Sequence, residues 1–361
     1  MRFRLQVKYT FYRLCKWMGF FWVARRLTRN GLRILCYHGF ELVDESSFHP
    51  KLFISLATFR KRLKFLSKHR FHVLRLADAL DLLERGKLPT GATVTTIDDG
   101  FFGTHTEALA LLRQHSFPAT VYVTSYYSEE GGPVFRLCVQ YMFWKTRKQT
   151  FDGRKLGLSD CVDIPIRSKA EKKRAVWEVI HHGETRCDEA GRRTLLKALG
   201  EQLGVDYDEI VSKRMLCIVS GEEIRQMSAA GLDIQLHTHR HRFPEDEELA
   251  IREIRDNRAV LEPLIGNSLE HFCYPSGLWS DKQWTWLKAA GIKTATTCEP
   301  GLNYSATPRL ALKRFLDGQD IAQIEFEAEV SGFGTLLRQA RSRVRRALGL
   351  HRDVDRVPAY L

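Results

Sequence analysis

The apolar positions fall into an alternating rhythm that begins near residue 34. Arg33 to Tyr37 and Ala92 to Ile97 are short apolar runs that predict strands, the second bounded by Gly91 and Gly100. Between them, Thr58 to His69 and Leu76 to Arg85 carry apolar residues at three-to-four spacing and predict helices. The rhythm continues with a helix over 106–115, a strand over 119–123, a helix over 221–230 that Gly231 ends, and a strand over 233–236. A charged helix is predicted over 245–265, a strand over 272–274, a helix over 281–290 and a strand over 293–297. Strand and helix in alternation imply a parallel sheet with helices outside, closed or open. Residues 128–215 break the pattern, being polar, charged and mostly helical. They are expected to be an insertion after one strand, placed to wall a substrate site.

Charge adds a division that hydropathy does not. The net charge is +13 over 361 residues, yet residues 1–33 hold nine basic residues and no acid, and residues 333–361 hold seven arginines against two aspartates. The remainder is close to neutral. The expected organisation is a basic amphipathic segment over 1–33, a catalytic body over 34–332 and a basic amphipathic tail over 333–361. A neutral body argues against nucleic acid as the partner, despite a pI near 9.4. Phe11 to Leu27 interleaves aromatic and basic residues, and Leu337, Ala340, Val344, Ala347 and Leu348 fall on one helical stripe beside arginines. Both read as surfaces for an anionic membrane. The longest apolar run, Trp17 to Ala24, falls far short of the ~20 residues a spanning helix needs. It has no cleavage site behind it, so a cytoplasmic protein, peripheral on the cytoplasmic face of the membrane, is expected. The eight cysteines form no C-x-x-C pair and are expected to be reduced.

Function in parallel α/β sheets gathers where strands end at their carboxyl side. Three predicted strand ends carry reactive groups. Thr96-Ile97-Asp98-Asp99-Gly100 places two carboxylates at a strand-to-loop bend, where one can bind a cation and the other act as a base, or both can serve a turn and helix cap. His237-Thr238-His239-Arg240-His241 offers a pair four apart, His237 and His241, that suits a zinc-like ion on one helical turn. His237 with His239 is the alternative on an extended strand. Phe272-Cys273-Tyr274-Pro275-Ser276-Gly277 ends a strand in a turn whose backbone N–H groups can hold an oxyanion. Together they suit metal-assisted hydrolysis.

These motifs resemble those of the polysaccharide deacetylase family, the NodB-homology domain. Its T-F-D-D-G stands here as Thr96 to Gly100, and its H-[ST]-x-x-H as His237 to His241. Its R-x-P-[FY]-G is partly matched by Cys273 to Gly277, and Leu35-Cys36-Tyr37-His38 is similar to its L-x-Y-H opening. The resemblance covers roughly residues 34–125 and 215–316. It implies a distorted (β/α) barrel with a helical insertion. The implied activity is metal-dependent removal of N-acetyl or other N-acyl groups from a glycan or a lipid-linked sugar in cell-envelope polysaccharide metabolism. Asp98 would then be the base, and Asp99, His237 and His241 the ligands of a divalent metal, most readily Zn2+. The Ser276 backbone N–H would hold the oxyanion. Tyr274, Pro275, Arg314 and His38 are expected to bind substrate. The family's third-motif arginine is Cys273 here, and its late L-x-H acid reads Leu312-Lys313-Arg314. Those two departures favour an inactive glycan-binding protein as the alternative. Arg309 is a second cation for substrate charge, and His38 and His105 are the spare titratable groups.

Overall fold

A computed structural model describes residues 2–158 and 161–347. Its frame is a run of parallel strands: β1 (Arg33–Tyr37), β2 (Ala92–Ile97), β3 (Thr120–Val123), β4 (Asp233–Leu236), β5 (His271–Cys273), β6 (Thr294–Thr296) and β7 (Phe315–Leu316). They lie in the order β6-β5-β4-β3-β2-β1-β7. Leu35 of β1 stands between Thr95 of β2 and Phe315 of β7. Every residue of β1 and β2 is buried, because helices cover the outside and side chains fill the inside.

The sheet is a distorted (β/α) barrel, as expected. A short strand, His72–Val73, pairs with the amino end of β2, while β3 pairs only with its carboxyl end. The ring is closed by the segment that enters β7. Thr297 N–H donates to the Leu312 carbonyl, and Leu312 N–H to the Ala295 carbonyl, both at 2.9 Å. The same run then pairs with β1. The sequence pattern predicts no strand here, because Phe315–Leu316 is too short to show a period.

The helices used below are α1 (Arg2–Trp17), α2 (Phe20–Leu27), α3 (Phe135–Lys145), α4 (Lys169–Arg186), α5 (Glu189–Leu203), α6 (Glu247–Ile265), α7 (Gln323–Val330) and α8 (Phe333–Ala347). The helix expected over 106–115 opens as a π-helical turn, Thr104–Ala108, before Leu109–Gln114. The amphipathic stretch Phe11 to Leu27 is divided between two helices. Gly19, at φ 82°, turns the chain between α1 and α2. In the insertion, a Ser168–Glu171 capping box starts α4, and the Asp188 side chain caps α5.

The described terminal helices α1, α2 and α8 pack on the body. Tyr12 and Phe21 pack against Phe333, Lys16 pairs with Glu327 at 2.6 Å, and Arg338 pairs with Glu329 at 2.6 Å. Arg25 donates to the carbonyls of His69 and Arg70, just before the strand at His72. Helix α2 therefore lies at the amino ends of the short His72–Val73 strand and β2, while α1 crosses the outer side of α7. Leu348 and the rest of the tail lie outside the described residues.

Candidate active site

The reactive groups converge at the carboxyl ends of β1 to β5, opposite α2. Asp99 follows β2 at φ 67°, and Gly100 follows at φ 82°. This left-handed pair swings the second carboxylate into the space the first already faces. An isolated strand would send them to opposite sides. His237 leaves β4, and Thr238 and His241 both adopt positive φ, 63° and 54°. Ser276, at φ 57°, does the same after β5. Strained backbone of this kind persists only where the surroundings hold it.

Asp99 Oδ1 lies 3.1 Å from His237 Nε2 and 3.2 Å from His241 Nε2. The pair is therefore His237 with His241. His239 turns away, its Nδ1 2.9 Å from the Ser125 hydroxyl. Helix α6 anchors this loop. The Asn257 side chain accepts from His237 N–H and donates to Val123 O and Ser125 Oγ. One turn earlier, Glu253 accepts from the Arg240 N–H.

The donor set fits a divalent ion. His237 Nδ1 donates to the Cys273 carbonyl at 2.9 Å, which leaves the Nε2 lone pair facing Asp99. One carboxylate oxygen and two imidazole nitrogens lie within 4.8 Å of one another. Ligands at ~2.0–2.2 Å from a tetrahedral zinc stand about 3.4 Å apart, close to the spacing here.

Asp98 occupies a different setting. The Arg314 guanidinium clamps it with two bonds, 2.7 Å to Oδ1 and 2.8 Å to Oδ2. The thiols of Cys273 and Cys36 lie 3.3 and 3.4 Å from Oδ2. Burial pushes the carboxyl pKa up, but Arg314 outweighs burial and holds it at about 2. His38 Nε2 stands 3.8 Å from Oδ2, with its own pKa lowered by burial against the pull of both aspartates.

Arg314 corrects the sequence reading. Its Nε donates to the Thr297 carbonyl at 2.9 Å and its Nη1 to the Thr96 hydroxyl at 3.1 Å. It is fully buried, so it meets Asp98 rather than substrate. The arginine missing at Cys273 is thus supplied from the closing segment, which removes one of the two arguments for an inactive protein. Arg309 lies outside the site, donating to the Leu80 carbonyl and paired with Glu84. His105 faces Gln226 on the outer surface at 2.9 Å. Pro275 is buried and does not line the cavity, whereas Tyr274, Ser276 and His38 do. The Tyr274 hydroxyl is committed to the Leu310 carbonyl at 3.0 Å.

The cavity over these groups is about 240 Å³. Its far side comes from the insertion: Val134, Arg136, Leu137 and Gln140 on and beside α3, and Trp177 on α4. The insertion walls the site as its place in the sequence predicts, but the sequence does not single out these side chains. Nor does it single out the Asn257 and Glu253 anchors, although two polar residues four apart on the buried face of α6 are a signal for them.

Residues 201–295 match the family described as polysaccharide deacetylase. No curated protein matches the sequence. Among solved structures, a Streptococcus pyogenes deacetylase, PplD, in complex with acetate, aligns with TM-score 0.56 at 14% identity, covering 83% of this chain and 98% of that one. The de-N-acetylase from Aggregatibacter actinomycetemcomitans aligns with TM-score 0.52 at 12% identity, covering 82% and 98%. IcaB from Ammonifex degensii aligns with TM-score 0.51 at 17% identity, covering 83% and 97%. At these identities the structural likeness bears on the fold. The family match covers 95 of 361 residues, and over that stretch, which carries His237 and His241, this chain is similar to polysaccharide deacetylases.

Proposed function

We propose that this protein is a metal-dependent hydrolase that removes an N-acyl group, most simply acetyl, from an amino sugar of a cell-envelope glycan. The observation that carries this reading is the convergence of Asp99, His237 and His241 beside an arginine-clamped Asp98 at the floor of one cavity. Asp99, His237 and His241 would hold the divalent ion, with zinc the best match to a two-histidine, one-carboxylate set. When bound, the ion would polarise the acyl carbonyl and make water more acidic.

The chain's own residues supply the rest. Asp98, kept ionised by Arg314, accepts a proton from the attacking water. The Ser276 N–H, turned by its left-handed backbone, is the donor for the carbonyl oxygen. Water adds to the acyl carbon, the C–N bond breaks, and the amine leaves with a proton. His38 lines the cavity beside Asp98 and is the histidine assigned to deliver it.

The test is acetate release from a panel of N-acetylated amino-sugar oligomers. It is run on protein stripped of metal and then restored with single divalent ions. Release that depends on the ion supports the reading. Tight glycan binding with no release under any ion supports the inactive alternative.

A further inference from the structure

The cap of terminal helices carries an apolar surface that the barrel does not use. Eighteen large apolar side chains are exposed among the described residues, and ten of them lie between Leu5 and Leu27. Each helix has two stripes. On α1, Tyr12 and Cys15 face the body, while Val7, Phe11 and Leu14 form an open stripe that Met18, just past the helix, continues. On α2, Phe21 and Ala24 are buried, while Phe20, Val23 and Leu27 are open. Trp17 is 85% exposed, Leu27 71% and Trp22 63%. A surface that meets only water seldom concentrates apolar groups in this way.

The chemistry around the stripe identifies its occupant. No acidic residue precedes Glu41, and Arg13, Lys16, Arg26 and Arg29 stand exposed among the aromatic groups. Arg26 lies over the Trp22 ring at 4.6 Å. The exposed last turns of α8 add Arg341, Arg345 and Arg346 on the same cap. Open apolar stripes flanked by cations, with tryptophan at the boundary, match the interface of an anionic bilayer. No described helix is long and apolar enough to cross one.

The orientation follows from the fold. Helix α1 runs along the flank over α7, α2 lies at the amino ends of the strands, and the cavity opens at their carboxyl ends. Strands of five and six residues separate the two by about 15–20 Å. We propose that α1 and α2 seat the protein on an anionic bilayer with the cavity facing away from the lipid. If the deacetylase reading above holds, the substrate is then a glycan chain that extends beyond the headgroups, and a sugar joined directly to lipid at the leaflet is out of reach.

The experiment uses the full chain with vesicles of phosphatidylcholine, with and without phosphatidylglycerol. Co-sedimentation is expected only with the anionic lipid, and high salt should weaken it by screening. A variant with Trp17→Ser, Trp22→Ser and Leu27→Ser should partition roughly tenfold less while keeping its circular dichroism spectrum, since all three side chains are exposed. Hydrogen exchange on bound protein should show protection over 2–29 and none over 126–145 or 237–243. No vesicle binding at low salt overturns the proposal. So does protection confined to 237–243, which would turn the cavity to the lipid, or lipid-free self-association lost in the triple variant, which would make the cap an interface between copies. None of these readouts needs activity, so they stand or fall apart from the deacetylase assignment.

Discussion

On the floor of the cavity each reactive group is held by more than its own place in the chain. Asp98 has Arg314 and two thiols, His237 has the Cys273 carbonyl and Asn257, and Asp99 is set by its left-handed backbone. On the wall, Arg136 and Trp177 stand on ordinary helices, partly exposed, with Arg136 paired to Glu184. On the proposed function, the floor fixes geometry for bond breaking. On the same reading the wall meets the ligand, and its side chains make no contact with Asp98, Asp99, His237 or His241 that fixes them. Variants on the two sides should therefore fail in different ways.

The largest effect is expected from His237→Ala, which removes a ligand and the link to Cys273. Bound metal, read by elemental analysis, and acetate release should both disappear while the fold persists. Asp98→Asn should keep the metal and lose roughly 10²–10⁴ in kcat. Loss of metal as well would mean that the roles of the two aspartates are reversed.

Arg314→Met tests the clamp. It leaves a buried carboxylate without its counter-charge, at a cost of about 3–5 kcal/mol in urea unfolding at neutral pH. The sign with pH is fixed by Asp98. Its pKa in the folded protein, about 2, lies below its ordinary value near ~3.9. The contribution is full above that ordinary value and is lost as pH falls through the folded one. The gap between wild type and variant should narrow between about pH 4 and about pH 2. The smallest effect belongs to the wall. Trp177→Ala should raise KM roughly fivefold, about 1 kcal/mol, with metal content and kcat unchanged. A kcat loss as large as that of Asp98→Asn would erase the distinction between floor and wall.

Much of the floor is legible in the sequence because it lies next to strand ends. Asp98, Asp99, His237 and His241 are read from short motifs, and the strands before them from apolar runs. Arg314 is legible as a cation but not in its role. Its partner is 216 residues away, and no local pattern reports a pairing made by barrel closure. The same limit hides Phe315–Leu316, whose pairing partner lies in β1. Trp177 sits in a helix dominated by charge, where its position over the cavity depends on how α4 folds back onto α3. The break at Gly19 escapes notice because the apolar spacing runs through it.

The closing segment completes both the barrel and the setting of Asp98. Leu35 is flanked on both sides only when Phe315 arrives, and Asp98 gains its clamp from the same stretch. Loop closure over so long a span is costly and slow. A nascent chain with β1 to β6 complete would bring Asp99, His237 and His241 together yet leave Asp98 unclamped. The clamp on Asp98 is in this sense a late contact, made only when the carboxyl-terminal part of the barrel has met the first strand.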